Sequence, residues 1–371
     1  MSQNNHPIDF GMFIMPFHPP SKPLAQCYDE DLEAIVQADK LGFKEFWIGE
    51  HHTMKYESIV MPEIFIGRAL GETERIRLGP APVCLNQHHP AHVASRLAFL
   101  DHLSKGRLNL CFGPGSVPAD MELYGHEPKH ANNMAFEAIE MILKLWESDP
   151  PYEVNGKFWK IKLEKYVDEK SGIGYIHKPF QDPHPPISIP GQNRGSTSMR
   201  FAGQHGFQPY NHCLPPANVL AELWSTYEEA ALVAGRQPNR ADWKVARAIF
   251  LADTTEEACK LARENSVGGC FNYIGGLLDG SPFGRLMLKR DVEMSNADCN
   301  LDYFMQEQII AGDVDTVLDR LLGLIDEIGT FGTLIMMSYD WEDKKSWLHS
   351  MELFAQELMP ALNKAVSGVS V

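Results

Sequence analysis

The chain has 371 residues, of which 44% are hydrophobic and 22% charged, and its formal net charge is −16. That is the composition of a globular protein long enough to bury a large core, and the negative charge argues against a general nucleic-acid or anionic-membrane partner. The start, "MSQNNHPIDF", lacks a basic region leading into an apolar stretch, no run approaches the ~20 apolar residues of a membrane span, and seven scattered cysteines without a CxxC pair point to reduced thiols in a cytoplasmic protein.

The first half alternates in period. "IDFGMFIM" (8–15) reads as a buried strand, and 28–41 as a helix with apolar residues at 32, 35, 36 and 41 and Gly42 as its stop. "FKEFWIG" (43–49) is a second strand, followed by a short helix over 62–73 with Pro62 at its start. "IRLGPAPVCL" (76–85) is a third strand broken by two prolines, followed by a helix over 91–104. "GRLNLCFGPG" (106–115) is a fourth, followed by a helix over 132–148. Residues 150–185 read as an insertion, with Asn155-Gly156 marking a hairpin turn. Then come "PPISIPG" (strand), 196–205 (helix), "GFQPY" (strand), 216–234 (helix), "WKVARAIFLAD" (strand) and 254–265 (helix). A long irregular stretch, a helix over 314–328, the strand "TFGTLIMMSY" and a helix over 345–365 complete the chain.

Eight strands alternating with helices, and no internal repeat or linker, predict an α/β fold: a single (β/α)8 TIM barrel domain spanning 1–371. The alternative is an open doubly wound sheet, but no GxGxxG follows the first strand. Residues 266–300 are glycine-rich with no evident period. They read as a lid-like loop or as a partly ordered surface insertion.

Three consecutive apolar segments end in histidine: His18 after the first, Glu50-His51-His52 after the second, His88-His89 after the third. In a (β/α)8 barrel the strand C-termini converge on the face that carries the active site. Two chemistries fit such a cluster. One is metal binding, but no carboxylate stands in HxH or HxxxD spacing and adjacent residues on an extended strand point to opposite sides. The other, favoured here, is acid/base work or hydrogen bonding to a substrate or cofactor, with Glu50 as an orienting partner.

A second stretch, "ISIPGQNRGSTSMRFAGQHG" (187–206), runs from a strand through Gly191 and Arg194-Gly195-Ser196-Thr197-Ser198 into a helix. Gly195 allows close backbone approach, and free N–H groups at a helix start favour an anion such as a phosphate monoester. The plain alternative is a Ser/Thr cap on an ordinary helix. In "CFGPGSVPADMELYG" (111–125), Gly113 and Gly115 either leave room for a flat ligand or make a simple turn.

Taken together, "GEHH" at a strand end, "LDHLSKGRLNLCFGPG", "FEAIEMILKLW" and the late "GSTSMRFAGQHG" resemble the bacterial luciferase-like, flavin-dependent monooxygenases. "IGEHHTMKYESIVMPEIFIG" and "RAIFLADTTEEA" are most similar to the diketocamphane and limonene monooxygenase-like branch. The resemblance implies a barrel that takes reduced FMN as a diffusible co-substrate from a separate NAD(P)H:flavin reductase. It would activate O2 as a flavin peroxide and oxygenate a small hydrophobic carbonyl or terpenoid, as a homodimer. His51 falls on the family's acid/base histidine, with His18 and His52 toward the substrate. Gly195 to Ser198 fall on the FMN phosphate site, Ala81 and Pro82 on a frequent cis peptide under the flavin, and Gly113 where luciferase carries a reactive cysteine. The family's phosphate-binding Arg near the start of the fourth helix is absent from "NNMAFEA", and Arg194 stands as its substitute. Alternatives on the same barrel are a deazaflavin-dependent dehydrogenase and a non-catalytic flavin-binding protein.

Overall fold

The computed structural model describes residues 6–280 and 284–367. Eight parallel strands form the barrel: β1 (Asp9–Ile14), β2 (Glu45–Ile48), β3 (Arg77–Pro80), β4 (Leu110–Gly113), β5 (Ile187–Pro190), β6 (Gln208–Asn211), β7 (Lys244–Leu251) and β8 (Thr333–Ser338). Their neighbours in space follow chain order, and β8 pairs with β1 with Asp9 opposite Thr333. The prolines at 80 and 82 interrupt β3, because a proline has no N–H for the ladder. Closure is therefore carried by Leu78, whose N–H donates to the Arg107 carbonyl and whose carbonyl accepts from Asn109 N–H, both at 2.9 Å. Beyond the break, Val83–Cys84 pairs with β4.

The interior is filled by side chains, as a small barrel requires. Its most polar layer lies at the start of the strands. There the Lys244 ammonium sits 3.0 Å from both Glu45 oxygens, and Glu45 also accepts from Trp47 Nε1 (2.9 Å) and Asn109 Nδ2 (3.1 Å). Trp47 and Tyr210 pack edge to face above it, with ring centroids 5.4 Å apart.

The insertion contains the expected hairpin, Tyr152–Asn155 against Lys160–Leu163. One short strand has no counterpart in the sequence reading: Ile309–Gly312 adds alongside the second half of β7. Its four residues are all buried and too few to show a period.

The irregular reading of 266–300 needs correction for its first half. Ser266–Asp279 is an α-helix capped by Asn265, whose side chain accepts from Val267 N–H. Its buried face is Val267, Cys270, Phe271 and Ile274, at helical spacing. Four interleaved glycines hid that period. Residues 281–283 of the expected lid lie outside the described residues.

Candidate active site at the C-terminal face of the barrel

Beyond β2, Glu50 and His52 turn to one set of partners and His51 to another. Glu50 turns toward the exit of β3 and is almost fully buried. It accepts from His88 Nε2 (2.8 Å), His52 Nε2 (3.1 Å) and Cys84 N–H (3.2 Å). Burial alone would raise its pKa, but the two histidines and the Cys84 amide outweigh it and hold the carboxylate ionised down to about 2. Tyr124 OH donates to His52 Nδ1 at 3.0 Å. Glu50, His52 and His88 bring potential metal-ligand atoms within 4.8 Å of one another. Here both imidazole N–H groups close on the same Glu50 oxygen.

Glu50 is therefore not the partner of His51, contrary to the expectation from adjacency. His51 faces two other carboxylates, with Nε2 3.2 Å from Glu57 and Nδ1 3.5 Å from Asp120. Burial would lower its pKa, yet the charges of Glu57 and Asp120 raise it to about 10. Asp120 is itself fixed by Thr53 N–H at 2.7 Å and His52 N–H at 3.3 Å. The result is an imidazolium held at the barrel mouth, with its side chain 18% exposed.

His18, at the exit of β1, is enclosed between Asp340 (2.5 Å from Nδ1) and Asp31 (3.0 Å from Nε2), and Lys22 adds a second cation 2.7 Å from Asp340. Burial lowers its pKa, but the two carboxylate hydrogen bonds prevail and raise it to about 9. His18, His51 and His52 all contribute to the wall of one cavity of about 530 Å3, together with Tyr28, Met54 and Val60. The raised His18 pKa carries a stability consequence. A histidine with a folded pKa near 9 stabilises fully below its unfolded value of 6.5 and loses that contribution as pH rises through about 9. The melting temperature is expected to fall between pH 7 and 9.5 in the wild type, and to fall less in His18→Gln. Equal slopes in differential scanning calorimetry would refute the coupling.

His89 stands apart from this cluster. Its ring caps the helix Pro90–Ser104 by accepting from Ala91 N–H at 3.3 Å. Conversely, the sequence reading passed over His212, which follows β6 in "QPYNHC" by the same strand-exit pattern. Its ring meets Phe13 edge on at 5.3 Å. Burial, aided by the positive charges of His51 and Arg247, lowers its pKa to about 4, so it is neutral where His51 is charged. Also passed over were Glu57 and Asp120, which no spacing ties to His51, and the buried polar groups Asn86, Gln87 and Tyr210. Both amide atoms of Asn86, Oε1 of Gln87 and the Tyr210 hydroxyl have no hydrogen-bond partner among the described residues.

At the exit of β3, next to that of β2, the Ala81–Pro82 peptide is cis, and Ala81 N–H donates to the Ile48 carbonyl at 2.8 Å. Gly113 is not an opening: a Cβ there would stand 2.8 Å from Pro190 and 3.1 Å from Pro82, so its lack of a side chain lets adjacent strand exits close together. Gly195 differs. Its φ is +64° and nothing lies within 4 Å of where a Cβ would be, so space is open on that side, while its N–H donates to Glu222 at 3.0 Å. Ser196 realises the plain reading by accepting from Met199 N–H as the cap of the helix Thr197–His205. Thr197 Oγ1 accepts from Asn132 Nδ2 at 2.9 Å, and Asn132 comes from the "NNMAFEA" helix that lacks the family's arginine. Ser198 is buried in the first turn. Arg194 donates to the carbonyls of Lys289 (3.3 Å) and Arg290 (3.0 Å).

The described part of segment 266–300 thus touches two regions of the mouth. Besides the Arg194 contacts, Tyr273 packs on Tyr56 (4.7 Å) and Phe17 (5.3 Å), at the exits of β2 and β1.

The Luciferase-like monooxygenase family model matches residues 8–330. The chain is 31% identical to 4-hydroxyprotoasukamycin monooxygenase of Streptomyces nodosus subsp. asukaensis, over 98% of this chain and 94% of that protein. It is 27% identical to the oxygenase component of the flavin-dependent trigonelline monooxygenase of Acinetobacter baylyi, over 92% and 91%. Among solved structures it is similar to a type II Baeyer–Villiger monooxygenase, the oxygenating constituent of 3,6-diketocamphane monooxygenase from Pseudomonas putida in complex with FMN. The TM-score is 0.86 at 28% identity, covering 96% of this chain and 98% of that one.

Proposed function

We propose, from the premise that this chain belongs to the luciferase-like monooxygenase family, that it is an FMN-dependent oxygenase of small hydrophobic carbonyl or terpenoid substrates. The observation that carries the reading is its full-length likeness to an FMN-bound Baeyer–Villiger oxygenating constituent.

The chain's own residues fit such a cofactor. The unpartnered amide atoms of Asn86, the Gln87 oxygen and the Tyr210 hydroxyl suit a flat ring edged with carbonyl and N–H groups. The open space beside Gly195 and the first turn of the helix Thr197–His205 suit a phosphate, with Arg194 beside them. Pro82 and Gly113 stand together at adjacent strand exits, with Ala81 beside them. Reduced FMN, when bound, supplies the electrons that activate O2.

His51 holds a proton and a positive charge at the mouth, fixed by Glu57 and Asp120, and so acts as an acid and as a stabiliser of developing negative charge. Glu50 acts one step removed, by orienting His52 and His88. The cavity of about 530 Å3, walled in part by Tyr28, Met54 and Val60, takes the substrate beside His18, His51 and His52. The aromatic cluster of Phe17, Tyr56 and Tyr273 draws the helix Ser266–Asp279 over that side and excludes water.

Electrons come from a separate NAD(P)H:flavin reductase, since the chain carries no GxGxxG strand-turn-helix for a dinucleotide. The enzyme works in the cytoplasm as a homodimer. All seven cysteines are free, and no helix of the described residues is long and apolar enough to cross a membrane. Ile64, Phe99 and Leu103 are exposed on the neighbouring helices Pro62–Ala69 and Pro90–Ser104, which offers an apolar face to a second copy.

The test is direct. The protein mixed with NADH, FMN and O2 is expected to do nothing by itself. An unrelated flavin reductase, or photoreduced FMN, is expected to start oxygenation of a hydrophobic ketone such as a bicyclic terpenoid, followed by gas chromatography. Rapid NADH oxidation by the isolated chain would contradict the scheme.

A further inference from the structure

The phosphate nest of this chain is held by one of its own carboxylates. Glu222 stands on the helix Ala217–Val233, which packs against the helix Thr197–His205. Its Oε1 accepts from Gly195 N–H at 3.0 Å, and its Oε2 lies 3.6 Å from Arg194 Nε. These are the two donors that a phosphate monoester would need most at this place. Gly195 is the residue whose φ of +64° turns its N–H out of the strand-to-helix loop. Arg194 donates one bond from each Nη to the Lys289 and Arg290 carbonyls and turns its Nε toward Glu222. The neighbours of Glu222 along its helix, Leu220, Leu223 and Trp224, are buried and fix the helix in place. The Glu222 side chain itself is 43% exposed and can turn into solvent.

We propose that Glu222 is an internal competitor for the cofactor phosphate and the residue that sets how weakly FMN is held. This rests on the assignment of 194–198 to the phosphate. The chemistry is that of one anion replacing another. The carboxylate satisfies the Gly195 N–H and faces Arg194 in the free protein. An incoming phosphate has to displace it, and then shares the nest's surroundings with a like charge a few ångströms away. At about 4 Å, like charges near a protein surface repel appreciably, and added salt weakens that repulsion. Riboflavin, which has the same ring and no phosphate, leaves Glu222 where it is. The residue therefore acts on the selectivity between FMN and riboflavin and keeps the cofactor exchangeable, as a diffusible co-substrate must be.

Binding of oxidised FMN and of riboflavin, each measured by quenching of flavin fluorescence with the wild type, Glu222→Gln and Glu222→Ala, gives a test that needs no turnover. Glu222→Gln keeps the shape and an acceptor oxygen for Gly195 and removes the charge. It is expected to tighten FMN by about 10-fold at low salt, less at high salt, and to leave riboflavin unchanged. Glu222→Ala is expected to move FMN in the same direction. If the wild type prefers FMN to riboflavin and both variants leave FMN unchanged or weaken it, the inference is overturned and Glu222 merely braces the loop. If FMN and riboflavin bind equally in all three proteins, no phosphate enters this nest, and the assignment of 194–198 falls together with the inference. Circular dichroism of each variant verifies that the comparison is made on folded protein.

Discussion

His51→Ala protein is expected to bind FMN and turn over about 10²–10⁴-fold more slowly than the wild type, the range for loss of a positioned acid or base. His51 follows β2 and lies between Glu57 at 3.2 Å and Asp120 at 3.5 Å. Two carboxylates hold the ring as an imidazolium to about pH 10. The active form is then the protonated one. A step that depends on it is fully supported below the folded pKa and lost as pH rises through about 10, so the wild-type rate shows no limb from His51 between pH 6 and 9. Asp120→Asn removes one of the two charges that raise the pKa. It is expected to bring a falling limb down toward neutrality without abolishing activity. Single-turnover rates with photoreduced FMN, measured across that pH range for the wild type and both variants, separate chemistry from flavin reduction. Undiminished turnover by His51→Ala would remove this residue from the mechanism. An unmoved limb in Asp120→Asn would remove its positioning carboxylate.

The largest effect on stability is expected from Glu45→Ala, at about 3–5 kcal/mol, the typical cost of stranding one partner of a buried ion pair. The Glu45 carboxylate is the only acid within hydrogen-bond distance of the Lys244 ammonium among the described residues, and it also receives Trp47 Nε1 and Asn109 Nδ2. Removing it leaves a buried cation and two unpaired donors inside the barrel. Replacing both partners by apolar residues of similar volume, Glu45→Leu with Lys244→Met, is expected to recover much of the loss, because desolvating the pair offsets most of its attraction. Urea unfolding of the two single variants and the double variant gives the coupling. A Glu45→Ala midpoint equal to that of the wild type would mean that the barrel base relaxes and admits water around Lys244.

The architecture was legible because its signals are local. The alternation of apolar strands and amphipathic helices gave eight barrel strands in chain order, and the histidines at the exits of β1, β2 and β3 were visible as residues following apolar runs. His212 obeys the same rule after β6 and could have been found by it. The helix Ser266–Asp279 was obscured because glycines at 268, 269, 275 and 276 dilute a period that Val267, Cys270, Phe271 and Ile274 still keep. The short strand Ile309–Gly312 carries too few residues to declare one.

The sequence by itself thus determined the barrel and the residue types that follow its strand exits, because periodicity and strand exits depend on neighbours a few positions apart. Only the tertiary structure decided which acid meets which base. Asp340 reaches His18 across 322 positions, Asp120 reaches Thr53 and the flanking His51 across about the distance of two strand-helix units, and Glu222 enters the Gly195 nest from 27 positions away. Glu50, adjacent to His51 in the chain, serves His52 and His88 instead. A carboxylate acts on whatever lies within a few ångströms, and in a closed barrel that is fixed by which strand exits converge, not by distance along the chain.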